Sequence, residues 1–380
     1  MYKLGGHRKG DNSKKENSGT YPTVSVIIVN FNGGHLVAAA VEAIVASDVP
    51  VEVIVADNGS ADGSVRLLRG RFAGNPRVKI IENGKNLGFT RANNLVLAHD
   101  VTDTDYVLLL NPDCIVDPDT LPRVLAAMEA CPEAAMAGCL IRNPDGTEQA
   151  GCRRAVPTPW RTFVRVLHLN KLFANHPRFR SFVLVGTPLP KKPIFQEAIS
   201  GAFMLVRRAP AEQIVGPLDE GYFLHCDDLD WCMRFRQAGL QILFVPDAEA
   251  THYKGYCSQD RPIRVLWHLH KGMVRFYRKF FRHQYPAPLM GAVILAVWAR
   301  FVVLAMGCWV KRLVYGKPTF PLPTPDRLAP ATQAPRPGAG DKMWGSAHTR
   351  NALGDDVAIS LVGSPPTPEG GPAPEQITRN

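Results

Sequence analysis

The sequence lacks the two glycine-rich signatures by which many enzymes bind nucleotides. No G-x-x-x-x-G-K-[ST] segment occurs in its 380 residues, and no G-x-G-x-x-G follows the first apolar run. Both signatures hold phosphates through backbone N–H groups. Their absence disfavours hydride-transfer enzymes and P-loop phosphotransferases. Any anionic ligand would therefore be neutralised by a metal ion and by side chains.

Cysteine is scattered, with eight residues and no C-x-x-C pair. In a chain of this length, such usage predicts reduced thiols in the cytosol and not a disulfide framework. A zinc site built from His225, Cys226, Cys232 and His252 fits none of the common zinc spacings. Residues 1–20 are polar and contain no apolar run typical of a signal peptide, so we expect a flexible arm there.

Acidic residues are fewer than basic ones, 34 against 44, which gives a net charge of +10. This excess predicts an anionic partner such as nucleic acid, a phosphate-rich ligand or a membrane. Residues 261–283 hold seven Lys or Arg and no acid, and helical spacing puts basic and apolar residues on opposite faces. A membrane-surface helix is one interpretation, and a helix packed on the protein with a solvated basic face is the other.

An apolar segment at 287–310 follows, long enough to cross a bilayer, with Arg300 as its one charge. This location of the basic residues favours a membrane over nucleic acid. Basic residues flank both ends of the segment, so a span and an interfacial hairpin both stay open. From residue 316, Pro, Gly, Ala and Thr dominate and predict disorder. The predicted divisions are 1–20, 21–258, 259–315 and 316–380.

Apolar, β-branched runs alternate with helical patterns in the first part of the chain. The runs occupy 24–29, 51–56, 78–81 and 106–110, and the helical patterns include 35–46 and 89–99. This alternation predicts an α/β fold with a mostly parallel, Rossmann-like sheet. Ligands of such sheets bind at the carboxyl ends of the strands.

Asn or Asp follows each of the four runs. One such end would indicate an ordinary turn, whereas four on one sheet edge indicate a binding site. Asp57 could accept hydrogen bonds from a base or ribose, Arg91 could meet a phosphate, and Asp113 could hold a divalent cation. The candidate donor-binding residues are Asn30, Asn32, Asp57, Gly59, Arg91, Asn93, Asn111 and Asp113.

The second part of the chain contains three neighbouring acids, Asp227, Asp228 and Asp230. Clustered carboxylates repel one another, which can raise a pKa and supply a general base. The acids could equally favour a helix N-terminus. His252 follows a predicted strand over 240–248, so it could share a cation with Asp113.

Seven segments, from VSVIIVNFNG to THYKG, together resemble family 2 glycosyltransferases of the GT-A fold over roughly residues 22–258. The rhamnosyltransferase-like bacterial branch is the most similar. The resemblance implies that Asn111-Pro112-Asp113 replaces the family's D-x-D element, with Asp113 and His252 beside the metal and Asp57 at the nucleotide. Asp227-Asp228 would match an E-D pair, with Asp228 as the base. Trp231 stands where Leu is common.

The implied reaction is inverting transfer of a sugar from a nucleotide-sugar to a hydroxyl, with Mg²⁺ or Mn²⁺ stabilising the leaving diphosphate. The resemblance favours rhamnose from a deoxythymidine-diphosphate donor, and leaves UDP- and GDP-sugars open. It implies a glycan or polyprenyl-linked acceptor, cell-surface polysaccharide synthesis and the cytoplasmic face of the bacterial inner membrane. A non-catalytic membrane-associated nucleotide-sugar or glycan-binding protein is the alternative, and the full set of carboxylates argues against it.

Overall fold

The computed structural model describes residues 22–101, 104–166, 168–173, 176–179, 184–258 and 261–315. The arm predicted at 1–20 and the disordered tail predicted at 316–380 lie outside these residues.

Strands and helices alternate through the first half, as the sequence predicts. The strands are β1 Val24–Asn30, β2 Val51–Asp57, β3 Val78–Glu82, β4 Tyr106–Leu110, β5 Cys114–Val116, β6 Ala134–Arg142, β7 Arg153–Arg154, β8 Ile194–Phe195, β9 Ala198–Ile199, β10 Phe203–Arg207 and β11 Gln241–His252. The helices are α1 Gly34–Val45, α2 Ser64–Arg71, α3 Phe89–His99, α4 Thr120–Glu129, α5 Pro159–Val166, α6 Leu169–Leu172, α7 Arg208–Pro210, α8 Asp227–Gln237, α9 Pro262–Phe280 and α10 Ala287–Tyr315.

The main sheet has the order β3-β2-β1-β4-β10-β6-β11-β5, with β8 paired to β11. Its first four strands are parallel, and β6 and β11 run in the same direction as they do. β10 runs the opposite way between β4 and β6. The predicted α/β fold is confirmed as a mixed sheet. The carboxyl ends of β1, β2 and β4 lie side by side.

Helices cover both faces of the sheet, which explains why β1 and β4 are buried along their whole length. The α1, α2 and α4 helices pack on one face, through residues such as Val41, Leu68 and Leu125. The α3, α8 and α9 helices pack on the other, through residues such as Val96, Phe235 and Phe276.

The α9 helix is the predicted basic amphipathic helix, but its apolar face does not point away from the protein. Leu269, Met273 and Phe276 are buried in the core beneath the sheet. On its basic face, Arg275 and Lys279 form ion pairs with Asp219 at 2.7 Å. The structure therefore favours the second interpretation of this helix, as one packed on the protein.

The α10 helix is the one helix of the described residues that is long and apolar enough to cross a membrane, judged by length and composition. Only 11% of its most apolar window is buried within the protein. Arg300, its one mid-helix charge, lies 3.0 Å from Nε2 of His270 on α9. Nδ1 of His270 donates to the Leu266 carbonyl, which leaves Nε2 as the acceptor for Arg300. The charge that was unexplained by sequence thus binds α10 to α9.

Candidate active site

Asp57 lies at the end of β2 and shapes the loop that follows it. Its carboxylate accepts from the side chains of Asn30, at 2.8 Å, and Ser60, at 2.6 Å. It also accepts from the backbone N–H groups of Gly59, at 3.0 Å, and Ser60, at 2.9 Å. A carboxylate offers about four acceptor positions, so these four bonds occupy it. The side chain is 1% exposed.

Gly59 and Asn32 support the same loop. Gly59 has φ +76°, and a Cβ there would lie 3.1 Å from Cα of Lys85, so glycine is required. Asn32 accepts from the backbone N–H of Ala61 at 2.9 Å and also has positive φ. The side chains of Asp57 and Asn32 and the backbone at Gly59 form a hydrogen-bonded wall at the ends of β1 and β2.

Asn93 and Arg91, two of the predicted donor-binding residues, lie on α3 and have different surroundings. Asn93 is fully buried and donates to the Phe89 carbonyl at 2.9 Å within its own helix. Arg91 is exposed and stands at the start of α3. The structure therefore leaves Arg91 accessible to a ligand and places Asn93 inside the protein.

Asp113 and His252 come together although they are far apart in sequence. The β5 and β11 strands pair so that His252 lies opposite Cys114. Oδ1 of Asp113 then lies 3.1 Å from Nε2 of His252, and both side chains are buried. Nδ2 of Asn111 lies 3.3 Å from the same Nε2. The structure thus brings together Asp113 and His252, the two residues that the sequence predicts to share a cation.

Gln149 fixes the tautomer of His252. Its Oε1 lies 2.7 Å from Nδ1 of His252, and its Nε2 donates to the His252 carbonyl and to Oδ1 of Asn143. Oε1 can only accept, so Nδ1 carries the proton and the lone pair of neutral His252 lies on Nε2. In that neutral form, Nε2 of His252 and Oδ1 of Asp113 would both be able to ligate a cation.

The metal ligands supplied by the protein fit Mg²⁺ or Mn²⁺ better than zinc, because Asp113 and His252 give only two ligands and a zinc site usually needs three or four from the protein. Among the described residues, no group of three or more His, Cys, Asp or Glu side chains could hold a metal by itself. Magnesium is often held by one or two protein oxygens together with substrate phosphates, which the Asp113–His252 pair would permit. The zinc set of His225, Cys226, Cys232 and His252 does not assemble.

Asp228 is connected to the Asn111-Pro112-Asp113 turn by a short backbone segment. The Gly201 N–H donates to Oδ2 of Asp228 at 3.2 Å, and the next carbonyl, that of Ala202, accepts from the Asn111 N–H at 3.0 Å. A Cβ on Gly201 would lie 3.1 Å from Cβ of Asp228. Residues 201–202 therefore connect the candidate base to the Asn-Pro-Asp turn.

Arg154 forms an ion pair with Asp228 and was not identified from the sequence. It lies on β7, and its Nη2 also donates to the Ile199 carbonyl at 3.1 Å. Both side chains of the pair are largely buried, with 12% and 15% exposed. Burial lowers the pKa of Arg154, although nearby groups including Asp227 oppose that effect. Arg154 thus orients the carboxylate of Asp228.

Asp227 and Asp230 differ from Asp228 in their surroundings. Burial raises the pKa of Asp227 to about 6, against the opposing effects of backbone hydrogen bonds and Arg154. Asp230 is fully buried and pairs with Arg234 at 2.9 Å and with Lys279 at 2.7 Å. Asp230 therefore joins α8 to α9 through its ion pair with Lys279.

Lys254 is a second cation that the sequence left unassigned. Its backbone N–H donates to the His252 carbonyl at 2.9 Å. Its side chain is exposed at the surface, yet desolvation by the surrounding protein, with repulsion from Arg154, lowers its pKa to about 8. Lys254 thus places a positive charge near Arg154, two residues after His252.

The loop before α8 is tied to α3, which brings the two parts of the chain together. The Phe223 carbonyl accepts from the Phe89 N–H at 2.8 Å, and the Tyr222 carbonyl accepts from Oγ1 of Thr90. A Cβ on Gly88 would lie 2.6 Å from the Phe223 oxygen, so only glycine fits.

A depression of about 640 Å³ lies at the other end of β4 and is lined by Asp105 and Glu129 among others. It contains none of the predicted site residues.

Comparison with known proteins identifies the family. The model of Glycosyl transferase family 2 matches residues 25–185. N-acetylglucosaminyl-diphospho-decaprenol L-rhamnosyltransferase of Mycobacterium tuberculosis is 30% identical over 274 residues, which cover 70% of this chain and 87% of that protein. Rhamnosyltransferase WbbL of Escherichia coli is 28% identical, over 65% of this chain and 89% of that protein.

More distant solved structures align as well. A mannosyltransferase from Pyrobaculum calidifontis, in complex with GDP-Man and Mn²⁺, is 20% identical, covers 78% of this chain and 75% of its own, and has a TM-score of 0.45. GalNAc-T7 with UDP, GalNAc and Mn²⁺ is 18% identical, over 61% of this chain and 44% of its own, at the same TM-score. The assignment rests on the family match and the sequence relatives: this chain belongs to glycosyltransferase family 2 and is a rhamnosyltransferase-like glycosyltransferase.

Proposed function

We propose that this glycosyltransferase is inverting and metal-dependent, with Asp228 as its base. The observation that carries the proposal is the backbone segment 201–202, which holds Asp228 on one side and the Asn111–Asp113 turn on the other. We therefore propose that the acceptor hydroxyl binds at Asp228 and the donor diphosphate at the cation site on the other side of this segment.

In the proposed reaction, Asp228 accepts the proton of the acceptor hydroxyl as that oxygen attacks the anomeric carbon. The bond from the anomeric carbon to the donor diphosphate breaks at the same time, so the configuration inverts. The ion pair with Arg154 keeps Asp228 in one orientation. Asp227 has a pKa raised to about 6 and lies beside it, but is nearly closed to solvent.

The divalent cation would be held by Oδ1 of Asp113 and Nε2 of His252. When bound, it supplies positive charge that stabilises the departing nucleoside diphosphate. Lys254 and the exposed Arg91 are the cations of this chain that we assign to the phosphates. Asn30, Asn32, Asp57 and Gly59 form the wall proposed to receive the nucleoside, with Asn111 beside the cation.

For the donor and acceptor, we propose rhamnose from a deoxythymidine-diphosphate sugar and a polyprenyl-linked glycan. The support is the similarity to the mycobacterial and E. coli rhamnosyltransferases, the first of which is named for a diphospho-decaprenol acceptor. We also propose that α10 anchors the enzyme at the cytoplasmic face of the inner membrane, because most of its apolar surface is exposed.

A donor screen tests the activity. Purified full-length protein is incubated with Mg²⁺ or Mn²⁺ and with dTDP-rhamnose, UDP-sugars or GDP-sugars, and nucleoside diphosphate release is measured in the presence of a lipid-linked acceptor. We expect dTDP-rhamnose to give the fastest release. Faster release from a UDP- or GDP-sugar would contradict the donor assignment and leave glycosyl transfer intact.

The assignment of Asp228 is tested by Asp228→Asn. The amide cannot accept the acceptor proton, so we expect kcat to fall by about 10²–10⁴-fold, with unchanged donor affinity by calorimetry. The matched control is Asp230→Asn, which should reduce stability and leave kcat of the folded fraction near the wild-type value. An equal loss of kcat in both variants would contradict the distinction between the two acids.

A further inference from the structure

A second apolar surface lies outside α10 and is rich in aromatic rings. Among its side chains, Trp160 is 43% exposed, Phe163 47%, Leu172 72% and Phe173 46%. Trp160 stacks on Phe163 with 5.8 Å between ring centroids, and Phe179 lies 5.8 Å from Trp160 and 5.0 Å from Phe173. We refer to Trp160, Phe163, Leu172, Phe173 and Phe179 as the aromatic patch.

The aromatic patch is fixed to the rest of the protein. Oγ1 of Thr162 on α5 lies 2.7 Å from the hydroxyl of Tyr277 on α9. Arg161 pairs with Glu197 at 3.0 Å and donates to the Val156 carbonyl at 2.9 Å. Nε1 of Trp160 donates to the Arg178 carbonyl at 3.1 Å, which closes the turn under the rings. The rings are therefore presented by an anchored segment.

The patch adjoins α10. The α5 helix contacts α10 directly, and both helices contact α9. Along α10 the exposed apolar residues recur at helical spacing, as at Leu295, Val302, Met306 and Trp309. The α5 helix, which carries Trp160 and Phe163 of the patch, thus lies beside α10, whose apolar surface is also exposed.

The two segments that carry these surfaces are basic in sequence, although Arg161, Arg275 and Lys279 pair with acids from other segments. Residues 149–196 contain nine Lys or Arg and no Asp or Glu, and residues 261–315 contain ten and no acid. A protein partner would ordinarily meet charges of both signs, whereas a bilayer rich in anionic lipid presents one sign. Exposed Trp and Phe beside basic residues are typical of surfaces that lie at the membrane interface.

We propose that the aromatic patch inserts into the headgroup region of an anionic phospholipid membrane, as a second contact besides α10. The proposal rests on the membrane association proposed for the enzyme and adds a contact that orients it. Arg154, which holds Asp228, precedes the first residue of α5 by only five positions. Docking through the patch would therefore set the direction in which the base faces the bilayer.

Fluorescence quenching by lipid tests the insertion. The full-length protein is reconstituted in vesicles of phosphatidylcholine and phosphatidylglycerol, with and without bromine on the acyl chains. Emission quenched by bromine is compared among the wild type, Trp160→Phe and Trp231→Phe. Trp231 is 1% exposed in the core, so its removal should leave the quenched emission unchanged. In Trp160→Phe, the emission quenched by bromine should be smaller than in the wild type, because the contribution of Trp160 is lost.

A second pair of variants separates membrane contact from other partners. Phe163→Glu with Leu172→Glu should weaken binding of the full-length protein to anionic vesicles by about tenfold, since two apolar side chains lose their burial. The control is Leu67→Glu, on α2 across the sheet and 38% exposed, which should bind as the wild type does.

The outcomes are distinct. If Trp160 is not quenched while α10 tryptophans such as Trp309 are, the patch does not insert and the anchoring by α10 stands. If the glutamate variants change the oligomeric state in light scattering, the patch is a protein interface and the proposal is wrong. Release of nucleoside diphosphate, measured separately, tests glycosyl transfer independently of both results.

Discussion

The loop that follows β2 and the junction of β5 with β11 contain the same residue types but use their oxygens differently. In the loop, Asp57 already accepts four hydrogen bonds from its own surroundings. At the junction, Oδ1 of Asp113 lies 3.1 Å from Nε2 of His252, so these two atoms are placed to bind a cation together. An Asp after a strand can therefore either complete a turn or bind a ligand. The number of hydrogen bonds that its carboxylate already accepts distinguishes the two roles.

Of the substitutions at these two sites, Asp113→Asn is expected to reduce activity the most. The amide could donate to Nε2 of His252, so folding should be preserved while the charge beside the cation is lost. We expect kcat/KM to fall by about 10²–10³-fold, because removal of one group that stabilises developing charge typically costs this much. The measurement is nucleoside diphosphate release over a range of Mn²⁺ concentrations. Wild-type rates at every concentration would remove Asp113 from the cation site.

A smaller effect is expected from Gln149→Leu, because Gln149 acts through His252. Without its Oε1, the proton of His252 is no longer fixed on Nδ1, and we expect affinity for Mn²⁺ to fall by about 10–100-fold. Gln149→Glu keeps an acceptor opposite Nδ1 but loses the donor to the His252 carbonyl, so it should retain part of the affinity. If the Glu variant were as impaired as the Leu variant, the lost donor of Gln149 would explain the effect better than loss of the tautomer.

The smallest effect on the chemistry is expected from Asp57→Asn. An amide nitrogen would face N–H donors in the buried loop, and each unsatisfied donor costs about 1–3 kcal/mol. We therefore expect a lower free energy of unfolding in urea and unchanged affinity for Mn²⁺. Normal stability with lost affinity for dTDP would show instead that Asp57 contacts the nucleotide directly, as the family resemblance implies.

The first four strands could be predicted closely from the sequence because each is a short apolar run bounded by polar residues, and β1 and β4 are buried along their whole length. The antiparallel insertion of β10 between β4 and β6 could not, since periodicity does not specify strand order. Gln149 and Arg154 lie in a polar stretch without periodicity, and only the pairing of β7 with β9 and of β11 with its neighbours gives them partners.

Among the three acids near residue 228, sequence reasoning could not separate one role from another. Asp230 is distinguished by Lys279, 49 positions away, and Asp228 by Arg154, which precedes it by 74 positions. Similarly, the amphipathic pattern of α9 was recognised, but the partner of its apolar face was not. That face packs into the core, because it meets apolar side chains of α8 and α10.

Binding of Mn²⁺ in the presence of dTDP, followed by electron paramagnetic resonance, tests the central claim most directly. The account predicts that the wild type and the folded fraction of Asp57→Asn bind Mn²⁺ with similar affinity, while Asp113→Asn binds it about 10²-fold more weakly. Equal affinity in the wild type and Asp113→Asn would contradict the assignment of the Asp113–His252 pair as the cation site.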